Sequence, residues 1–301
     1  MNEMQERVLA LKKKKKALIL AHYYQTMDIH EVADHVCDSF DMARRAHEAS
    51  EDLLIICGVR FMAESAKILN PNKTVLLPSP DAGCPMADMI EPEDVLKLRL
   101  QYPDAAVVCY VNSSSAVKAV SDICCTSSSA EKIVRALPER RVIFIPDRNL
   151  GSYIASRVSE KEVILYDGCC PAHDRISAQA ATDARKNHPN AKLLVHPECR
   201  AEVIEQADYV GSTAGIIEEA SKSSATEFII GTEIGVTDRL RAMTPGKSFY
   251  PISNDFICPD MKKTTLADIL NSLEKGDYEV ILSAPEIEAA SKTLERMVNL
   301  G

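Results

Sequence analysis

The chain has 301 residues, 46% hydrophobic and 26% charged, the balance of an ordinary folded globular protein rather than a disordered or fibrous one. A formal net charge of −9 excludes a general nucleic-acid binder, which needs clustered positive charge. The N-terminus lacks a signal-peptide pattern and no apolar run reaches the roughly 18 to 20 residues of a membrane span, so a soluble, cytoplasmic protein is expected, in which the ten cysteines serve metal binding, catalysis or burial rather than disulfides.

In chain order, the first segment is a helix ending at Lys12 to Lys16, five lysines that wrap round the helix end and read as a solvated terminus. The strand ALILAHYY follows and ends near Tyr24. Short runs rich in Val, Ile and Leu between turn signals are how parallel strands covered on both faces read. Next come CDSFDMARRAHEA, a helix opened by Ser39, then a strand and helix in LLIICGVRFMAESAKIL, then a strand running to Cys84-Pro85 in VLLPSPDAGCP. The series repeats as AVVCYVNS, CCTSSSAEKIVRAL with Ser127, RVIFIPDRNLGSYIAS, and VILYDGCCP ending on Cys170-Pro171. It repeats again as KLLVHPEC, VGSTAGIIEEAS with Thr213, EFIIGTEIGVTDRLRA, and FYPISNDFICP ending on Cys258-Pro259.

A fixed period underlies these segments. His22, Tyr110 and His196 align with separations of 88 and 86 residues, and two positions on stand Tyr24, Asn112 and Glu198. Ser39, Ser127 and Thr213 keep the spacing of 88 and 86, and Cys84, Cys170 and Cys258 follow at 86 and 88. The shared Cys-Pro step selects Cys170 over Cys169. The expected fold is therefore α/β, with three homologous α/β/α sandwich domains of short parallel sheets around a pseudo-threefold axis, at residues 1–102, 103–189 and 190–301, the last including a C-terminal helix. Such an axis brings equivalent positions together at the carboxyl ends of the strands, where open α/β sheets place ligands.

Three thiolates could hold catalytic zinc with one open position, or an iron-sulfur cluster with one open iron. Proline favours the first helical position, so each cysteine is expected just before a helix start, whose free N–H groups favour a thiolate. The hydroxyls of Ser39, Ser127 and Thr213 are expected to cap three helices and make three anion-binding corners for a small polyanionic substrate. Taken singly, each is more often a plain cap, and the strand-end histidines plain loop groups. Only the register raises them. Glu198, the sole carboxylate in its column, is the preferred general base. His173, one turn from Cys170, is a secondary candidate to orient a cluster or substrate. Lys262 is either a phosphate partner or, more in keeping with its context, an exposed helix lysine. Cys37, Cys57, Cys109, Cys124, Cys125, Cys169 and Cys199 fall outside the cysteine column and read as buried or spare thiols.

The stretches AHYYQ, CDSFDMAR, GCPMADM, CYVNSSSAVKA, DICCTSSSA, FIPDRNLG, DGCCPAH, HPEC, GSTAGI, GTEIG and CPDMKKTTL, between residues 21 and 266, resemble the quinolinate synthase family in that family's order. The resemblance implies a 4Fe-4S cluster held by Cys84, Cys170 and Cys258. It also implies condensation of iminoaspartate (iminosuccinate) with dihydroxyacetone phosphate to quinolinate, phosphate and two waters, a step toward NAD. Substrate contacts then fall on His22, Ser39, Tyr110, Asn112, Ser127, His196, Glu198 and Thr213, with Glu198, Tyr24 and His22 as catalytic groups. An aspartate oxidase or dehydrogenase supplying the imine is the implied partner. Longer relatives carry a Cys-x-x-Cys-x-x-Cys segment near the last ligand, whereas Cys258 stands alone here, so disulfide regulation there is not carried over. Two rival readings are a reductive dehydratase of the isoprenoid-diphosphate type, which would consume reducing equivalents, and a non-enzymatic iron-sulfur sensor.

Overall fold

The computed structural model describes residues 1–301. Its elements recur three times. The first lobe runs α1 (Glu3–Lys15), β1 (Ala17–His22), α2 (Met27–His30), β2 (His35–Cys37), α3 (Ser39–Glu48), β3 (Leu53–Cys57), α4 (Arg60–Leu69) and β4 (Thr74–Leu76). The second runs α5 (Pro92–Gln101), β5 (Ala105–Tyr110), α6 (Ser115–Ala119), β6 (Ile123–Cys125), α7 (Ala130–Ala136), β7 (Arg141–Ile145), α8 (Arg148–Arg157) and β8 (Glu162–Leu165), and a single helical turn, α9 (Pro171–Asp174), follows. The third runs α10 (Ala178–Asn187), β9 (Lys192–Val195), α11 (Ala201–Ile204), β10 (Tyr209–Val210), α12 (Thr213–Lys222), β11 (Glu227–Gly231), α13 (Ile234–Met243) and β12 (Ser248–Pro251), and α14 (Leu266–Lys275) and α15 (Ala284–Leu300) close the chain.

Each lobe holds a four-stranded, wholly parallel sheet, in the orders β2-β1-β3-β4, β6-β5-β7-β8 and β10-β9-β11-β12. The α/β class with three parallel sheets is as the sequence leads one to expect. The edge strands β2, β6 and β10 are an addition, because two or three residues are too few to show a strand period. The central strands β1 and β5 are buried along their whole length, which explains their unbroken apolar runs.

The lobes meet through one repeated contact. The helix after the second long strand of each lobe packs on the short helix after the first strand of the next: α4 on α6, α8 on α11, and α13 on α2. A head-to-tail contact that returns to its origin after three steps closes a ring. The helices that leave each cysteine loop obey the same rule. α5 packs on β5 of lobe 2, α10 on β11 of lobe 3, and α14 crosses to α1 of lobe 1. There Leu266, Ile269, Leu270 and Leu273 share one buried cluster with Val8, Ile19 and Ile55. α15 spans α4 and α6, bridging lobes 1 and 2. Ile269→Ala is therefore expected to destabilise lobe 1, far away in sequence, by about 2 to 5 kcal/mol. A lowered thermal midpoint with faster amide exchange in β1 and β3 would report it; loosening confined to lobe 3 would contradict this packing.

Candidate active site

The carboxyl ends of β1, β5 and β9 point into one space at the ring's centre. All twelve expected site residues line one cavity of about 670 Å³, partly open to solvent: the strand-end residues His22, Tyr24, Tyr110, Asn112, His196 and Glu198, the hydroxyls of Ser39, Ser127 and Thr213, and the thiols of Cys84, Cys170 and Cys258. His173 lines it too, whereas Cys169 does not. Of the seven cysteines read as spare, six are buried, Cys169 is partly exposed, and all are free thiols.

The hydroxyl residues are not the helix caps they were expected to be. A cap must accept the N–H about three residues on. Asp38 Oδ1 takes the Asp41 N–H at 3.0 Å, and Ser212 Oγ takes the Gly215 N–H at 3.2 Å. In lobe 2 the N-cap position falls on Ser129, which makes no side-chain capping bond; its Oγ accepts instead the N–H of Thr126, three residues earlier, at 3.0 Å. Ser39 and Thr213 thus occupy the first helical turn, and Ser127 the loop before its helix, leaving their hydroxyls for the cavity. Ser127 Oγ lies 3.3 Å from His196 Nε2, and Thr213 Oγ1 lies 3.2 Å from the Tyr24 hydroxyl.

The two strand-end histidines are held identically. His22 Nδ1 accepts the Tyr24 N–H at 3.2 Å, and His196 Nδ1 accepts the Glu198 N–H at 3.3 Å. An acceptor Nδ1 puts the proton on Nε2. Burial first, then the neighbouring histidines, lowers His22 to about 3 and His196 to about 4; Lys262 also acts on His22, and Glu198 opposes the shift in both. Burial likewise lowers His30, whose Nε2 faces the His22 carbonyl at 3.2 Å, to about 4. These rings are neutral N–H donors at neutral pH. Their folded values lie below the ordinary value near 6.5, so the unfolded chain binds protons first as pH falls. Stability from this source is therefore full above about 6.5 and declines toward 4 and then 3. Nitrogen-15 spectra of the rings are expected to show all three unprotonated at pH 5.5; titration near 6.5 would contradict the burial argument.

Glu198 is the centre of the polar network. The Tyr110 hydroxyl donates to Oε1 at 2.6 Å, and His173 Nδ1 stands 2.9 Å from Oε2. Burial pushes the carboxyl up, but the adjacent His173 and His196 and the bonds from His173 and Tyr110 outweigh it and hold Glu198 below the usual carboxylate range. His173 also reaches Cys170 Sγ at 3.2 Å and, through Nε2, Thr232 Oγ1 at 3.0 Å; Thr232 in turn meets the Tyr24 hydroxyl at 2.8 Å. Thr232 was missed by the sequence reading, and His173 was underweighted for lack of counterparts in the other lobes. Lys262 is neither phosphate partner nor solvated lysine: its Nζ turns inward to Glu233 Oε1 at 2.9 Å and donates to the Tyr24 carbonyl.

Each cysteine precedes one helical turn, at Ala87–Met89, α9 and Asp260–Lys262. N–H groups two and three residues on face the sulfurs: Met86 and Ala87 for Cys84, His173 for Cys170, Asp260 and Met261 for Cys258. Burial raises all three thiols, Cys84 to about 12, so a bound metal must displace their protons. A single tetrahedral zinc, with Zn–S bonds of about 2.3 Å, draws its sulfurs together to within about 4 Å. Yet the one set of three potential ligand atoms within 4.8 Å of one another is Cys170, His173 and Glu198, and Cys84 and Cys258 stand outside it. Three soft thiols that do not close to within 4.8 Å of one another do not match a single tetrahedral zinc, and their softness is compatible with an iron-sulfur group.

Three lobes deliver polar side chains and thiols to one central cavity, the arrangement of a three-lobed α/β enzyme with this cavity as its candidate site. The model of the quinolinate synthetase A protein family matches residues 6–299, and the chain belongs to that family. It is 51% identical to the quinolinate synthase of Caldicellulosiruptor saccharolyticus over 290 residues, covering 96% of each chain. It is also 49% identical to that of Alkaliphilus metalliredigens across 100% of both, and 47% identical to that of Clostridioides difficile across 96% of this chain and 94% of the relative. No helix is long and apolar enough to cross a membrane.

Proposed function

We propose that the chain is a quinolinate synthase of NAD biosynthesis, condensing iminoaspartate with dihydroxyacetone phosphate to give quinolinate, phosphate and two waters. The reading rests chiefly on the convergence of twelve residues, taken from four columns of an internal repeat, on a single cavity. Atoms and electrons balance for this condensation without a donor, unlike the reductive dehydratase alternative. Cys84, Cys170 and Cys258 would hold the 4Fe-4S cluster, and each lobe supplies one ligand. When bound, the cluster supplies an iron without a protein ligand, a Lewis acid suited to a substrate hydroxyl or carboxylate.

The remaining groups bind anions and move protons. Neutral His22 and His196 offer Nε2–H to carboxylate or phosphate oxygens, and Ser39, Ser127 and Thr213 add hydroxyl donors near helix N-termini. Asn112 Oδ1 is buried without a protein partner, an acceptor left for a substrate N–H or O–H. The Tyr24 hydroxyl, set between Thr213 and Thr232, can donate to a leaving oxygen. Glu198 can take a substrate proton at its carboxylate while Tyr110 and His173 fix its orientation. The imine is expected to come from an aspartate oxidase or dehydrogenase.

The test is anaerobic purification with iron and sulfide analysis, followed by an assay for quinolinate from both substrates. Turnover without an electron donor is the expected result. A protein with its full cluster that formed no quinolinate, or that formed product only with a reductant, would sink the proposal.

A further inference from the structure

A second triplicated device lies behind the cysteines. The first N–H of the helix following the second long strand bonds to the carbonyl two residues before each cysteine: Arg60 to Ala82 and Arg148 to Gly168, each at 2.8 Å, and Ile234 to Phe256 at 2.9 Å. The residues just before these donors are Val59, Asp147 and Glu233, the N-caps of α4, α8 and α13. Two of the three carry a buried carboxylate that also serves the cysteine loop. Asp147 Oδ1 caps Leu150 at 2.8 Å while Oδ2 takes the N–H of Cys170 itself at 3.1 Å. Glu233 Oε2 takes the Gly235 N–H at 2.8 Å, and the Glu233 carboxylate lies beside the backbone N–H of Cys258.

Glu233 has a further partner. It is wholly buried, and Lys262, from the turn after Cys258, lies 2.9 Å from one oxygen and 3.1 Å from the other. The same ammonium donates to the Tyr24 carbonyl in lobe 1. Gly235 makes the close approach possible: a Cβ there would meet Glu233 Oε2 at 2.8 Å, the Tyr23 carbonyl at 3.0 Å and Lys262 Nζ at 3.1 Å. The three groups meet at the seam between lobes 3 and 1, where the chain crosses from Cys258 toward α14.

We propose that Glu233 and Lys262 are positioning residues: an ion pair between a buried carboxylate and a half-buried ammonium that fixes the Cys258 loop against the Tyr24 segment, so that one contact sets both the third cluster ligand and a site hydroxyl. The proposal rests on the cluster reading given above. Neither side chain lines the cavity. They act on Cys258 through the loop backbone and on Tyr24 through its carbonyl. A buried carboxylate stripped of its counter-ion is strongly unfavourable, whereas removing both charges together is often tolerated. That asymmetry separates a pair acting as a unit from two independent side chains.

The experiment compares anaerobically purified wild type, Lys262→Met, Glu233→Gln and the double variant by iron and sulfide content, by the rate at which a ferrous chelator bleaches the cluster absorbance, and by kcat and KM measured separately. Lys262→Met is expected to bleach about tenfold to a hundredfold faster, the usual cost of losing a partner that orients a metal ligand, and to lose kcat more than KM. The double variant is expected to recover much of the slow bleaching. Should the single variants not fold, Gly235→Ala crowds the Glu233 carboxylate and the Lys262 ammonium without changing charge, and is expected to speed bleaching with an unaltered far-ultraviolet spectrum. Bleaching within about twofold of wild type in the folded variants, or losses in the double variant equal to the sum of the singles, would overturn the positioning role. A wild-type protein lacking iron and sulfide would instead overturn the cluster reading itself.

Discussion

Replacing Cys170 by serine is expected to remove most of the iron and sulfide from the anaerobically purified protein and to cut quinolinate formation by more than about a hundredfold, beyond the loss typical of outer partners. The same result is expected for Cys84 and Cys258, because each lobe contributes one thiol and no neighbouring cysteine can take its place. A serine oxygen is harder than sulfur and holds its proton far more tightly, so it is a poor substitute in an iron-sulfur site. Cys169→Ser is the discriminating control. That thiol is adjacent in sequence but partly exposed and outside the cavity, and its backbone N–H turns toward Met89 Sδ at 3.5 Å. Full cluster and activity are expected in Cys169→Ser. If Cys169→Ser lost the cluster and Cys170→Ser kept it, the ligand assignment drawn from the Cys-Pro step would be wrong.

The repeat period carried most of what could be read in advance, because three copies of one pattern act as an internal alignment. It made long-range proximity legible: His22, Tyr110 and His196 are strand ends in three different sheets, and only the period relates them. The readings failed where the lobes differ or where an element is too short. β10 has two residues, and no periodicity can be seen in two. Thr232 was missed because its column, Gly58, Pro146 and Thr232, is chemically mixed, and the next column, Val59, Asp147 and Glu233, likewise conceals its two buried carboxylates beside a valine. Lys262 was misjudged for a related reason. A lysine after a helical turn is normally solvated, and only the tertiary path of the loop past Tyr24 turns it inward. α14 continues the series begun by α5 and α10, yet it must serve the first lobe, since a closed ring leaves no fourth lobe for it to cover.

Glu198→Gln is expected to lower kcat by about a hundredfold to ten-thousandfold, the range for losing a proton-transferring group, with iron and sulfide unchanged. The substitution keeps the side chain's size but exchanges one acceptor oxygen for an NH2 donor. Tyr110 and His173 now both depend on acceptor oxygens of that carboxylate, at 2.6 and 2.9 Å, so one of them must lose its partner. Tyr110→Phe removes a donor and leaves the carboxylate, and a smaller loss is expected. The pH profile separates proton transfer from orientation. Because Glu198 is held below the usual carboxylate range, it stays ionised through the neutral region, and the wild-type profile should show no acid limb from it between about pH 5 and 8. A limb in that window that disappears in Glu198→Gln would mean that the substrate complex raises the carboxyl toward the pKa of an efficient base. Full turnover in Glu198→Gln with the cluster intact would remove Glu198 from the proton path, leaving the Tyr24 hydroxyl, between Thr213 and Thr232, as the remaining acid among the three strand-end residues of that column.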